Sequence, residues 1–276
     1  MKVLVTGKGG AGSWMVRGEQ LGASIGATVR AQATDAAGFD LAMVVKRTPE
    51  PVLAAIRRAS IPWVWDVVDA YPQPSSYTWD KWEAVHWVRQ RMKALRPSAV
   101  IWPTQRMRED CDPGLPGLVL PHHHRPSMAV NRIRPEVKVV GYEGAPAYLG
   151  RWRDAIEDEC RRRGWRFEVN PARLADLDIV LALRDRGGYV SRHWKSNVKL
   201  ANAHGSGTPF VGQQECGYLE TASGAEYWAE DRGSLRLALD WLASRGAREA
   251  VSDRFLQKAF TVEQAGARLS EFLRAV

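Results

Sequence analysis

The chain has 276 residues, 45% of them hydrophobic and 25% charged. That composition is globular, with room for two domains of roughly 130 residues each. Thirty-nine Lys and Arg against 31 Asp and Glu give a formal charge of +8, which favours an anionic partner such as nucleic acid, a nucleotide or a membrane surface. No apolar run reaches the ~18 residues a membrane span needs, and "VLV" is too short for a signal-peptide core, so a cytoplasmic protein is expected. Cys111, Cys160 and Cys216 are odd in number and scattered, which excludes a legible disulfide framework or metal motif.

"KVLVTG" reads as a buried strand. It leads into a loop in which Gly7, Gly9 and Gly12 fit G-x-G-x-x-G, the pyrophosphate turn of dinucleotide-binding folds. "SWMVRGEQLGASIG" follows with helical spacing. The acid that a dinucleotide site needs about 20 residues past the glycines is missing: "GATVRAQATDAAG" offers Arg30 and only later Asp35, which argues against a dehydrogenase. Strand "LAMVVKR", helix "PEPVLAAIRRAS", strand "IPWVWDVVD", helix "DKWEAVHWVRQRMKALR", strand "AVIWPTQ" and strand "GLVLPHHHRP" complete one α/β domain.

The pattern restarts after the linker "SMAVNRIRPE". Strand "VKVVGYEG", helix "YLGRWRDAIEDECRRRG", strand "RFEV", short helix "ARLADLD" and strand "IVLAL" come first. Helix "HWKSNVKLANAHGSG", strand "TPFVG", helix "GSLRLALDWLASRG" and the amphipathic tail "VEQAGARLSEFLRAV" follow. The expectation is an α/β protein of two Rossmann-like domains, residues 1–133 and 134–276, facing one another across an interdomain cleft that holds the ligand.

The stretch "WKSNVKLANAHGSGTPFVGQQECGYLET" narrows the reading. Lys195, Ser196, Lys199, Asn202, Gly207, Thr208, Pro209, Glu215, Gly217 and Glu220 resemble the donor-binding segment of GT-B glycosyltransferases, in particular the family-4-like pattern. There, a helix with a basic and a polar or acidic residue leads into a small-Gly-Thr-Pro turn, a short strand and an acid-Gly-acid loop. The two-domain plan and the helix after "AFTVEQA" extend the resemblance over nearly the whole chain. It implies an acceptor-binding N-terminal domain and a C-terminal domain that binds a nucleotide sugar as co-substrate. No further cofactor and no metal site is expected. A divalent ion is optional, since the chain carries no Asp-x-Asp motif.

The chemistry needs these residue types. A nucleotide sugar leaves as a nucleoside diphosphate, whose growing charge calls for cations and helix amides. Arg192, Lys195 and Lys199 supply the cations, with Lys195 and Lys199 expected on one helix face; Ser196 adds a hydroxyl, and Arg184 and Arg186 follow a strand. A carboxylate would take the ribose hydroxyls. Asn202 stands where the family carries an acid, so Asn202, Glu215 and Glu220 are alternatives for that role. Gly9, Gly10, Gly12 and Ser13 let backbone approach a ligand, and Arg17, one turn on, would meet an anion.

An inverting transfer also needs a base. Asp66 or Asp69 would serve, walled by Trp63, Trp65 and Tyr71, although aspartate there also suits a turn. His124, in the run His122, His123, His124 next to Arg125, is a further acceptor contact. Three adjacent histidines do not converge on one metal.

From Lys81 to Arg108 seven basic residues stand against one acid, Glu83, with Trp82, Trp87 and Trp102 interleaved. Phosphates take charges and bases stack on rings, so the favoured acceptor is 5-hydroxymethylcytosine in DNA, the substrate of short phage GT-B enzymes. A phage-encoded chain would work in the host cytoplasm. The alternatives are a lipid-linked or polysaccharide acceptor, or a nucleic-acid-binding protein without catalysis. A monomer or weak oligomer is expected.

Overall fold

The computed structural model describes residues 1–10, 12–69, 78–185 and 187–276, and these form two compact units. The first comprises Met1–His122, Gly188–Ser196 and Thr261–Val276; the second comprises His123–Gly187 and Asn197–Phe260.

The first unit is built on a six-stranded, wholly parallel sheet: β1 (Val3–Gly7), β2 (Thr28–Val29), β3 (Leu41–Val45), β4 (Trp63–Asp66), β5 (Ala99–Trp102) and β6 (Gly117–Val119). Their order is β2-β1-β3-β4-β5-β6. β1, β3, β4 and β5 are buried at every position, as expected of parallel strands covered on both faces, which read as continuous apolar runs. β2 escapes sequence reading because it has only two residues, aligned with Leu4 and Val5.

Helix Lys81–Leu95 starts at a capping box, in which the Asp80 carboxylate accepts from the Glu83 amide and the Glu83 carboxylate from the Asp80 amide. The turn after the glycine loop is less regular, with Trp14–Gln20 forming a π-helix. Such wide turns are rare and concentrate at functional sites.

The second unit holds β7 (Val139–Tyr142), β8 (Arg166–Val169), β9 (Ile179–Ala182), β10 (Phe210–Gly212) and β11 (Tyr227–Trp228), all parallel, in the order β11-β10-β9-β7-β8. In each sheet the first strand lies between the second and third. Successive connections therefore run in opposite directions from β1/β3 and from β7/β9. These are the topological switch points, where open α/β sheets leave a crevice beyond the carboxyl ends of their strands.

Two of the expected elements are arranged differently. The expected single helix over "HWKSNVKLANAHGSG" is broken. A helix ends at His193, residues 195–197 are non-helical, and a second helix runs Val198–Ser206. The Trp194 indole donates to Asp110 and the Ser196 amide to Asp69, and these bonds hold the segment in the first unit. Lys195 and Lys199 therefore do not share a helix face. The C-terminal helix Val262–Arg274 also belongs to the first unit instead of the 134–276 segment. It lies so near the short helix Leu21–Ser24 that a Cβ on Gly266 would sit 2.5 Å from the Ser24 hydroxyl.

One buried pair gives the second unit a pH dependence. Burial pushes the Glu226 carboxyl up, but hydrogen bonds from His204 and from Ser223 outweigh it, leaving a pKa of about 2. A depressed carboxyl stabilises the fold above its unfolded pKa, near 4.5, and loses that contribution as pH falls toward 2. A shift of this size amounts to about 3 kcal/mol. Unfolding free energy should therefore fall between pH 4.5 and 2, and Glu226→Gln should flatten that fall in denaturant titrations.

Candidate active site

In the first unit the switch point is lined by the glycine loop after β1 and the residues after β3. Gly9 and Gly10 have φ of +77° and +68°, a region glycine enters without steric cost. A Cβ on Gly9 would also stand 2.7 Å from that of Ala31. The loop borders a cavity of about 180 Å³ formed by Lys8, Gly9, Gly10, Ser13, Trp14, Val45, Lys46 and Arg47. Among the described residues three cations and no carboxylate line it, which suits an anion. Gly12 lies exposed beside it, with nothing within 4 Å of where its Cβ would be, so neither strain nor close packing demands glycine there.

Lys46 and Arg47 went unremarked in the sequence, because their place beside the glycine loop depends on β3 pairing with β1. Burial pulls the Lys46 ammonium down from its ordinary value. Asp69 partly restores it, while Lys195 and Arg47 depress it further.

Asp69 gathers this edge of the sheet. One of its carboxylate oxygens lies 2.7 Å from the Lys195 ammonium and 3.9 Å from that of Lys46, and the other accepts from the Ser196 amide at 3.1 Å. The preceding residue, Val68, has φ of +70°, which is costly for a β-branched side chain. Its carbonyl oxygen lies 3.3 Å from His122 Nε2. The turn that delivers Asp69 is thus held under strain.

The other expected base is placed differently. Asp66 is fully buried and bound bidentately by Arg17, Nε to Oδ2 at 2.8 Å and Nη2 to Oδ1 at 3.1 Å. Arg17, also fully buried, donates further to the carbonyls of Leu120 and Pro121. The two residues expected as base and anion contact therefore serve each other, because a buried guanidinium fork and a carboxylate match in geometry and charge. Trp65 is likewise no acceptor wall: it is core, its indole donating to the Lys46 carbonyl. Tyr71 and Arg186 lie outside the described residues.

The segment carrying Lys195 is pinned through Asp110. This buried carboxylate accepts from Tyr189 at 2.7 Å and Trp194 at 3.0 Å, and it pairs with Lys81 and Arg106. Burial pushes the Asp110 carboxyl up, but hydrogen bonds from Trp194, Tyr189 and Lys81 bring it below its ordinary value. Much of the basic stretch that pointed to DNA is thus spent within the unit. Lys81 and Arg106 bind Asp110, Arg108 binds Asp112, and Trp102 is core. Arg192 lies exposed on the same short helix as Tyr189.

In the second unit the switch point presents Tyr142 at the end of β7, Gly144 just beyond it and Arg184 after β9. The Lys199 ammonium lies 3.9 Å from the centroid of the Tyr142 ring, within cation–π range. The Tyr142 hydroxyl is buried, with no hydrogen-bond partner among the described residues, and burial pushes its pKa up. Arg184 pairs with Glu215 at 2.9 Å and donates to the Tyr218 hydroxyl, and its amide donates to the Gln213 side chain. Both members of the ion pair are almost wholly buried.

Asn202 takes no part in that cluster. It accepts from the Arg125 amide and donates to the Glu143 carboxylate, which Arg125 also pairs with, so it holds the Arg125 backbone and the Glu143 side chain together. Glu220 ends the short helix Cys216–Leu219 and is exposed. The ring of His124 covers Gly205, and its Nδ1 lies 2.7 Å from the Arg125 carbonyl.

Two doubly wound α/β units, each with charged side chains at its switch point, make the GT-B fold class. Solved structures agree along the whole chain. Anabaena HepE with UDP-glucose bound matches at TM-score 0.67 and 10% identity over 100% of both chains. AviGT4, a glycosyltransferase involved in avilamycin A biosynthesis, matches at 0.61 and 13%, over 99% of this chain and 97% of its own. The lipopolysaccharide outer core galactosyltransferase WaaB matches at 0.60 and 8%, over 100% and 99%. At these identities the likeness is one of fold. No family model and no curated protein matches the sequence. No helix among the described residues is long and apolar enough to cross a membrane.

Proposed function

We propose that the protein is a glycosyltransferase that moves a sugar from a nucleoside diphosphate sugar to an acceptor hydroxyl. The bond from sugar C1 to the diphosphate oxygen breaks and the nucleoside diphosphate leaves with the electron pair. The acceptor oxygen bonds to C1, and its proton passes to the departing diphosphate, which has become the more basic group, and from there to water. The observation that carries this reading is the second unit's switch point, where Lys199, the buried Tyr142 hydroxyl and the Arg184–Glu215 pair converge in a fold that HepE uses around UDP-glucose.

In this reading Lys199 offsets charge on the departing diphosphate, as a preorganised cation does, while Arg192 stays a candidate anion contact of the first unit. Glu215, locked by Arg184, is favoured over the exposed Glu220 for the ribose hydroxyls. In the first unit Lys46, Lys195 and the glycine loop, with Gly12 and Ser13, face an anionic group. With both oxygens engaged, Asp69 is an anchor for Lys195 and Ser196 more than a base. Asp69→Asn should then weaken binding of that anionic group about tenfold and lower kcat far less than the 10²–10⁴ that loss of a general base costs. Steady-state kinetics resolve the two parameters.

The acceptor is proposed as a hydroxyl of modified DNA or of a lipid-linked or polysaccharide sugar. A panel of nucleotide sugars incubated with DNA with and without 5-hydroxymethylcytosine, and with the two other acceptor classes, decides by mass gain. A sugar-sized gain on any acceptor supports transferase activity and identifies the acceptor. A panel giving no transfer, no donor hydrolysis and no donor binding overturns it.

A further inference from the structure

Away from the candidate active site, the first unit carries a second cavity of about 710 Å³. Its apolar surface comes from Met92, Pro97, Pro113 and Leu115, and its cations are Arg89, Lys93 and Arg96. Topology fixes its position. Helix Lys81–Leu95 ends at Arg96, and Ser98, just before β5, donates to the carbonyl of Trp63 at the start of β4. The segment 112–116 likewise leads into the start of β6. The cavity therefore sits at the amino edge of the sheet, whereas the glycine loop, Lys46 and Asp69 follow the carboxyl ends of β1, β3 and β4.

The charges at this rim are uneven. Lys93 and Arg96 are exposed and make no ion pair among the described residues, and Arg89 donates only to the backbone carbonyl of Asp110. The one acid in the lining, Asp112, is engaged by Arg108 at 3.4 Å and by the Gly114 amide at 2.9 Å. The floor is apolar and firmly seated: Met92 and Pro97 are buried, and Leu115 packs on the core. Volumes of this order take drug-sized molecules, with apolar walls supplying affinity and a few polar groups supplying orientation. An apolar floor below uncommitted cations complements one kind of ligand, an apolar body ending in a negative head.

We propose that this cavity is a binding site for a single-chain anionic amphiphile, an alkyl chain ending in phosphate or carboxylate, with the chain on Pro113 and Leu115 above the buried Met92 and Pro97 and the head between Lys93 and Arg96. The site is separate from sugar transfer and does not depend on the transferase reading.

The test is calorimetric titration of the whole chain with dodecyl phosphate below its micellar concentration, with dodecanol and inorganic phosphate as controls. The expected result is saturable binding of one dodecyl phosphate, at least tenfold weaker binding of each control, and about tenfold weaker binding by the Lys93→Ala/Arg96→Ala variant, as two rim charges of this exposure imply. Both substituted side chains are exposed, so the variant should keep the wild-type melting temperature. A second variant, Leu115→Ser, should weaken dodecyl phosphate but leave inorganic phosphate unchanged. Equal affinity for dodecanol and dodecyl phosphate, unchanged affinity in the double variant, or no saturable binding would each overturn the assignment. Association with anionic vesicles without binding of the monomer would also overturn it, in favour of a membrane surface.

Discussion

Arg17→Ala should be the most destabilising single change in the first unit. It leaves the fully buried Asp66 carboxylate without its bidentate partner and removes the donors that tie the carbonyls of Leu120 and Pro121 to the π-helical turn. Breaking a buried ion pair from one side costs about 3–5 kcal/mol, since the remaining charge is stranded in a medium that solvates it poorly. Denaturant titration should show a loss of this size, and Asp66→Asn, which keeps the shape and loses the charge, should also destabilise. An Arg17→Ala protein within about 0.5 kcal/mol of wild type, the ordinary range for surface positions, would show that the pair is not structural.

The second large effect concerns donor binding. Lys199→Ala should lower kcat/KM by roughly 10–10², taking about 1.5–3 kcal/mol for a hydrogen bond to a charged group. Lys195→Ala should behave differently. Lys199 rests on Tyr142 in the second unit, whereas Lys195 belongs to the first and is tied to Asp69. Losing Lys195 also removes the close partner of a partly buried carboxylate, so its variant should show a stability loss that Lys199→Ala does not. Initial-rate measurements and thermal melts of the two single variants separate these contributions.

Much of the architecture was legible because parallel strands buried on both faces leave continuous β-branched runs. "VLVTG", "LAMVV", "WVWD", "AVIW", "VVGY" and "IVLA" were all visible as strands. β2 and β11, at two residues each, are too short to carry a periodicity. Helix Arg245–Lys258 has little apolar segregation around its axis, and its sequence gives no stripe to read.

The site was less legible, for two reasons. Local spacing placed Lys195 and Lys199 on one helix, but the Asp110 and Asp69 hydrogen bonds, from residues far away in sequence, pull the chain out of helix between them. The second reason is burial. Asp66 and Asp69 look alike in "WVWDVVD", yet one ends inside a strand opposite Arg17 and the other emerges after the strained Val68. Only pairing across the sheet distinguishes them. The same holds for Lys46 and Arg47, whose role depends on β3 neighbouring β1, and for Tyr142, whose orphaned hydroxyl has no sequence signature.

The most direct test of the transferase reading is equilibrium titration of the protein with a panel of nucleoside diphosphates, repeated on Lys199→Ala and Glu215→Gln. The expected result is saturable binding of at least one nucleoside diphosphate, weakened tenfold or more by each substitution. Binding by none of the panel, or binding that both variants retain at wild-type strength, would contradict a nucleotide-sugar site at the second unit's switch point.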